Sequence, residues 1–329
     1  MSGPTTASAL WYAARGRAEL RTAPLPPLKP GEARVRTLWS ALSRGTERLV
    51  FEGRVSAFET ERMRAPMQEG AFPYPVKYGY CAVGIVEDGP ETLVGRVVFA
   101  LHPHQDRFTA PADRLVPVPD AIPSRRAVLA ANMETALNAL WDAGAGPGDR
   151  IAVVGAGVVG LLIGYLAARL PGADVTVIDI DPSRSTVARR FGCAFQKPLD
   201  AADEADVVFH ASATPPGLAC ALACAGFEAT IIEISWYGDA PVAAPLGLDF
   251  HSRRLKLIAS QVGQVAPSRR PRWTRRRRLE KALSLLADDT LDLLITEEAS
   301  FQNLPGALPQ LLAPGAPGLA TAVRYGSTG

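Results

Sequence analysis

The sequence predicts an α/β protein in which a doubly wound parallel sheet follows a β-rich stretch. Three observations lead there. A strand, a glycine turn and a helix follow one another directly between Ile151 and Asp179. Helices and buried strands alternate around that unit from Arg125 to about Ile295, the mark of a parallel sheet. Before it, short β-branched runs are punctuated by Pro and Gly, as in antiparallel structure.

Taken in order, the runs Ala33 to Ser40, Cys81 to Glu87 and Arg96 to Leu101 read as strands. A helix over Arg125 to Ala143 leads through GAGPGD into the strand Ile151 to Val154. The helix after the glycines is apolar at Leu161, Leu162, Tyr165, Leu166 and Ala168, and Pro171-Gly172 stops it. The strand Val175 to Ile178 ends on Asp179, and further strands follow at Asp206 to His210, Thr230 to Ile234 and Leu255 to Ala259. An amphipathic helix over Arg276 to Ala287 comes next. The tail then leaves the alternation, which suggests that it rejoins the first part of the chain. At 329 residues two domains are expected.

The turn holds Gly155, Gly157 and Gly160, and an acid nineteen positions beyond the last of them. A bare GxGxxG is weak, because glycine is common; the strand before it, the helix after it and Asp179 make it specific. Gly155 permits the turn, Gly157 lets backbone approach a pyrophosphate, and Gly160 lets the helix pack closely. Val158 and Val159 lie between them at the helix start, where unpaired N–H groups and the positive dipole end meet phosphate. Asp179 would accept hydrogen bonds from the adenosine ribose and repel a 2′-phosphate, which favours NAD over NADP. The alternative is a βαβ unit whose glycines serve packing alone.

Lys plus Arg (35) nearly balances Asp plus Glu (33), so a net charge of +2 gives no reason to expect a nucleic-acid or membrane partner. The N-terminus lacks the basic and apolar regions of a secretion signal, and a cytoplasmic location is expected. Cys81, Cys193, Cys220 and Cys224 form no disulfide framework and no CxxC pair. The run Ser268 to Arg278 holds seven arginines and Trp273; a solvated loop, partly facing a dimer partner, explains it better than nucleic acid does.

With these parts in this order the chain resembles the medium-chain dehydrogenase/reductase superfamily, the alcohol dehydrogenase-like enzymes, over nearly its whole length. The residues that carry the resemblance are GDRIAVVGAGVVG with Asp179, the preceding ETALNALWDAG, YPVKYGYCAVGIVE, and ALSRGTE at Ala41 to Glu47. It implies a β-rich GroES-like catalytic domain from residues 1–124 and 296–329, and a Rossmann NAD-binding domain from 125–295, with the active site in a cleft. SRGTER (Ser43 to Arg48) is most similar to a branch without the usual zinc ligands, that of bacteriochlorophyllide a dehydrogenase.

The departures from the zinc enzymes are specific. A Cys ahead of Thr-Asp is replaced by Ser43 ahead of Thr46-Glu47, Gly-His-Glu by Gly79-Tyr80-Cys81, and the third ligand position falls near Ala131. Zinc needs three or four converging Cys, His or carboxylate groups, so a zinc-independent enzyme is expected. His102, His104 and Cys81 are the residues from which an unrelated metal site would have to be built. Without a metal, another group must protonate or stabilise the developing alkoxide. The resemblance places Ser43, Tyr80, His102 and His104 around the substrate. Tyr80 is a candidate donor or a packing residue, and the two histidines, alternating, should share one face. Glu47 is a candidate base, or the partner of Arg44 or Arg48 in a salt bridge. Ser212, beside His210, and Ser260 end two parallel strands where ligands of such sheets bind, and Arg184 can reach the adenosine ribose or lie solvated.

The expected function is therefore an NAD(H)-dependent, zinc-independent alcohol or carbonyl oxidoreductase, acting on a small-molecule substrate and pairing as a homodimer through sheet edges. Quinone or enoyl reduction, and a non-catalytic dinucleotide-binding redox sensor, are the alternatives.

Overall fold

The computed structural model of the chain describes residues 6–200 and 204–326. It divides into two compact units, Met1–Ala131 with Leu283–Gly329 and Asn132–Ala282.

The second unit is built on six parallel strands. Their order is Ala194–Gln196, Asp174–Ile178, Arg150–Val154, Ala205–His210, Ala225–Glu233 and Lys256–Ala259. Numbered along the chain that order is 3-2-1-4-5-6, the doubly wound arrangement in which strand order reverses beside the first strand. Ile151 to Val154 are all buried, as expected of a strand covered on both faces. The helix Val158–Ala167 packs its Gly164 against the sheet, where a Cβ would lie 3.2 Å from Val177 Cγ2 and 3.1 Å from Cys193 Sγ. The helix Pro215–Cys224 covers Ala152, Val208 and Ile231 through Leu218, Ala221 and Leu222.

The first unit is antiparallel for the most part. Glu32–Leu42 is its central strand, pairing with Ala82–Asp88, Arg107–Pro111 and Ala320–Arg324. Ile295–Ser300 adds in parallel to Ala320–Arg324, so the chain's last strands complete a sheet begun by its first hundred residues. Val35, Ala82, Val98 and Phe108 form the core of this sheet. A second sheet starts with the hairpin Thr6–Ala14 and Arg17–Pro24.

The sequence reading missed that hairpin. Its first strand is alanine-rich, and its second, RAELRTAP, has no buried residue, so neither shows a clear alternation. The single helix expected over Arg125 to Ala143 is two, Ser124–Ala127 and Ala130–Ala143. On the first of them Arg126 forks its guanidinium onto Asp292 at 2.9 and 2.6 Å. The basic run is also not wholly solvated. Arg278 is 1% exposed and donates to Glu134 Oε1 at 2.9 Å, Asn138 Oδ1 at 2.5 Å and the Gln264 carbonyl at 2.9 Å. One of the seven arginines is therefore a buried clasp. No helix among the described residues is long and apolar enough to cross a membrane.

Candidate active site and dinucleotide turn

In the first unit the candidate residues gather around Glu47, which the helix Arg44–Phe51 turns into the interior. Glu47 is fully buried and its carboxylate is held by three donors. Tyr12 donates its phenol to Oε2 at 2.5 Å, Ser43 its backbone N–H to Oε1 at 2.7 Å, and His104 Nε2 lies 3.0 Å from Oε2. The other ring nitrogen of His104 meets Ser40 Oγ at 2.7 Å, and Ser40 in turn meets the Tyr325 hydroxyl at 3.0 Å. Gly79 makes room for this imidazole: at φ +125° it lies so close that a Cβ would stand 2.9 Å from His104 Cδ2.

This arrangement corrects two expectations. Glu47 directs its hydrogen bonds inward, whereas Arg44 and Arg48 donate to carbonyls, Arg44 to Ala316, Pro317 and Gly318, Arg48 to Leu312 and Ala313. His102 and His104 do not serve one face. His102 stacks on Phe108 with centroids 3.8 Å apart, and its Nδ1 lies 2.9 Å from the Pro103 carbonyl. Burial pushes its pKa down to about 3, so it is a neutral packing residue. Tyr12, Ser40 and Tyr325, which the sequence did not single out, come from far apart in the chain, the first two from strands and Tyr325 from just past the last one. Only Tyr12 left a trace, as a phenol in step with Leu10 in the strand TASALWYAA.

Beside this network lie three partly exposed hydroxyls. Tyr80 donates to Ser43 Oγ, with Thr46 Oγ1 at 3.1 Å. Burial pushes the Tyr80 phenol well above its ordinary value, neighbouring Cys81 adds to the rise, and the bonds to Ser43 and Thr46 only partly offset it. The phenol is therefore neutral at physiological pH and can donate. Zinc, which the resemblance raises, does not fit this set: Ser43 and Tyr80 stand at ligand positions, and no group of three His, Cys, Asp or Glu side chains among the described residues could hold a metal ion.

In the second unit the glycine turn has the geometry its residues predict. Gly155 adopts φ +107°, and a Cβ there would lie 2.6 Å from the backbone nitrogen of Ser212. A Cβ at Gly160 would be 1.9 Å from the Gly155 carbonyl oxygen, so only glycine lets the helix start against the turn. Gly157 is exposed, with nothing within 4 Å of its Cβ position. It is the N-cap of the helix, which no side chain caps, and the N–H groups of Val158 and Val159 follow directly. The turn thus leaves an open, positively polarised cradle that fits a pyrophosphate.

Asp179 sits at the end of the neighbouring strand. Its Oδ2 accepts the Ala156 N–H at 2.6 Å and its Oδ1 the Asp181 N–H at 2.8 Å, which fixes the carboxylate beside the turn. Arg184 pairs with Asp181 at 3.1 Å. Ser260 donates its hydroxyl to Asp142 Oδ2 at 2.6 Å, which commits its proton inside the unit. Ser212 is joined to His210, whose Nε2 lies 2.7 Å from its Oγ. Behind His210 stands Glu233, a further acid at a strand end that the sequence reading did not single out.

No family model matches the chain. D-guloside 3-dehydrogenase of Escherichia coli is 27% identical over 313 residues, spanning 85% of this chain and 88% of that protein. A protein of Sinorhizobium meliloti described as a zinc-binding dehydrogenase, bound to NADP, superposes with a TM-score of 0.79 at 16% identity, over 98% of this chain and 100% of the other. The fold is that of the alcohol dehydrogenase-like oxidoreductases. An alcohol dehydrogenase of Escherichia coli complexed with NADH gives 0.77 at 15% identity, again over 98% and 100%. All three are dehydrogenases, and the two solved structures differ in the nicotinamide nucleotide they hold.

Proposed function

We propose that this alcohol dehydrogenase-like oxidoreductase moves hydride between NAD(H) and a secondary alcohol or ketone of a small polyhydroxylated molecule, and does so without zinc. The observation that carries the reading is the open glycine cradle with Asp179 locked beside it. A carboxylate held there accepts ribose hydroxyls and opposes a 2′-phosphate. NAD(H), when bound, supplies or takes up the hydride at its nicotinamide ring. The chain's own residues would orient it and manage the proton: the helix N-terminus would take the pyrophosphate, and the neutral Tyr80 phenol, which gives its one proton to Ser43 Oγ, would turn that proton to the substrate oxygen.

The substrate class rests on the relative named D-guloside 3-dehydrogenase. Hydroxyl-rich substrates suit a site built of hydroxyls, since each can accept or donate as required. Homodimer formation belongs to the same reading: Leu257 and Ile258 are 39% and 41% exposed on the sheet's last strand, Lys256–Ala259, an edge that pairing with a second copy would cover.

The test is turnover of NAD with a panel of glycosides, polyols and sugar acids, with zinc measured on the same sample. We expect turnover that survives chelation and zinc well below one per chain. One tightly held zinc per chain, with activity lost on chelation and restored by zinc, would overturn the zinc-free assignment.

A further inference from the structure

A second hydrogen-bonded chain lies in the nucleotide unit, at the C-terminal ends of two adjacent parallel strands. His210 is fully buried at the end of Ala205–His210, and Glu233 ends the neighbouring Ala225–Glu233. His210 Nδ1 lies 2.8 Å from Glu233 Oε2 and its Nε2 lies 2.7 Å from Ser212 Oγ. Tyr237 donates its phenol to Glu233 Oε2 at 3.1 Å, and the Ser235 N–H reaches Oε1 at 2.8 Å. Burial alone would raise Glu233, yet the bonds from His210 and Ser235 hold it below the usual carboxylate range. It is ionised and can only accept.

With the imidazole neutral, that charge sets the direction of the hydrogen bonds along the chain: His210 donates from Nδ1 to Glu233 and accepts at Nε2. Ser212 therefore donates its O–H to Nε2. Thr214 Oγ1, 3.0 Å from Ser212 Oγ, accepts the Gly217 N–H at 3.1 Å as a helix cap, so its own proton is free for Ser212. Ser212 Oγ is left with one lone pair and no proton to give. Gly217 lets it sit so close to the helix start, since a Cβ there would stand 1.9 Å from Ser212 Oγ.

The sheet order says what that lone pair faces. The glycine turn ends the first strand of the fold, Asp179 ends the neighbour on one side, and His210 with Ser212 ends the neighbour on the other. A dinucleotide with its adenosine ribose at Asp179 and its pyrophosphate over the turn extends its other half past Ser212. We propose that Ser212 accepts a hydrogen bond from a hydroxyl of the nicotinamide-side ribose, and that His210 and Glu233 are positioning residues that keep it an acceptor. The proposal rests on the dinucleotide reading above.

The experiment is a calorimetric titration of the full-length protein with three probes: NADH, ADP as the adenosine half alone, and an NADH analogue whose nicotinamide-side ribose lacks its 2′ and 3′ hydroxyls. The unaltered chain should bind NADH about tenfold more tightly than the analogue, the worth of one well-placed hydrogen bond. Ser212→Ala should bind NADH as weakly as the analogue, with the variant and analogue losses not adding, and ADP affinity unchanged. Glu233→Gln, which no longer dictates the imidazole tautomer, should shrink the preference while leaving ADP binding intact. No discrimination by the unaltered chain, a preference that survives Ser212→Ala, or an equal loss of ADP affinity would each overturn the proposal; the last would mean that Ser212 only props the glycine turn. If the unaltered chain binds neither NADH nor ADP, the dinucleotide reading itself fails, and the proposal with it.

Discussion

Replacing Tyr12 by Phe isolates the hold on Glu47. The ring keeps its edge-on contact with Phe51, at 6.1 Å between centroids, so packing is preserved. What is lost is one of three donors to a buried carboxylate, at 2.5 Å. A hydrogen bond to a charged group contributes roughly 1.5–3 kcal/mol, and the remaining Ser43 and His104 contacts cannot move to replace it, so a loss of about 2 kcal/mol is expected. Urea unfolding at neutral pH, followed by the fluorescence of Trp11 and Trp39 in the first unit with the other tryptophans replaced by Phe, measures it. The loss should also depend on pH. Burial and then Glu47 raise the Tyr12 pKa well above 10, so the folded chain keeps a proton that the unfolded chain releases. That contribution is complete below about pH 10 and declines above it by about 1.4 kcal/mol per pH unit. The gap between Tyr12→Phe and the unaltered chain should therefore narrow in alkali. A neutral-pH loss below about 0.5 kcal/mol, or a gap that stays constant above pH 10, would refute the description of Glu47 as a three-donor acceptor.

Tyr80→Phe should lower kcat by roughly a hundredfold with cofactor affinity intact, the usual scale of general acid assistance; because burial raises this phenol, the pH profile should show no tyrosine ionisation near 10. Asp179→Ser should narrow the preference for NADH over NADPH, and tighter NADPH than NADH binding by the unaltered chain would contradict the role given to that carboxylate. His102 is held neutral with its pKa pushed down to about 3, so the unfolded chain gains a proton below about pH 6.5 that the folded chain refuses. Stability is then full above that pH and falls toward pH 3; His102→Phe should make the acid limb of a pH–stability curve shallower, and an unchanged limb would contradict the assignment.

The parallel sheet was legible because its signals are local. A buried strand, a turn that only glycine can make and an acid at the next strand end lie within thirty residues, and each fixes its neighbour's geometry. The antiparallel part was less so, because the hairpin Thr6–Ala14 and Arg17–Pro24 lacks a clear alternation of apolar and polar residues. At the candidate site Ser43, Tyr80, Glu47 and His104 stood out by residue type and resemblance, yet their partners did not. Tyr12, Ser40 and Tyr325 meet them through long-range sheet pairing, and nothing in the spacing of one chain announces that His104 bridges Glu47 and Ser40 while His102 turns to Phe108. Arg278 shows the same limit from the other side: a run of arginines reads as a solvated stretch, and only the packed helix reveals that one of them is fully enclosed by Glu134 and Asn138.

The central claim is hydride transfer between a nicotinamide and a carbinol carbon. It is tested most directly by incubating the protein with NADH deuterated at nicotinamide C4 and a metabolite extract, then locating the label by mass spectrometry and NMR. The account predicts one product heavier by a single deuterium, bonded to a secondary carbon that carries a hydroxyl group. Deuterium on a carbon that had belonged to a carbon–carbon double bond would mean enoyl reduction instead, and NADH binding without any transfer of label would mean a protein that senses the nucleotide without using it.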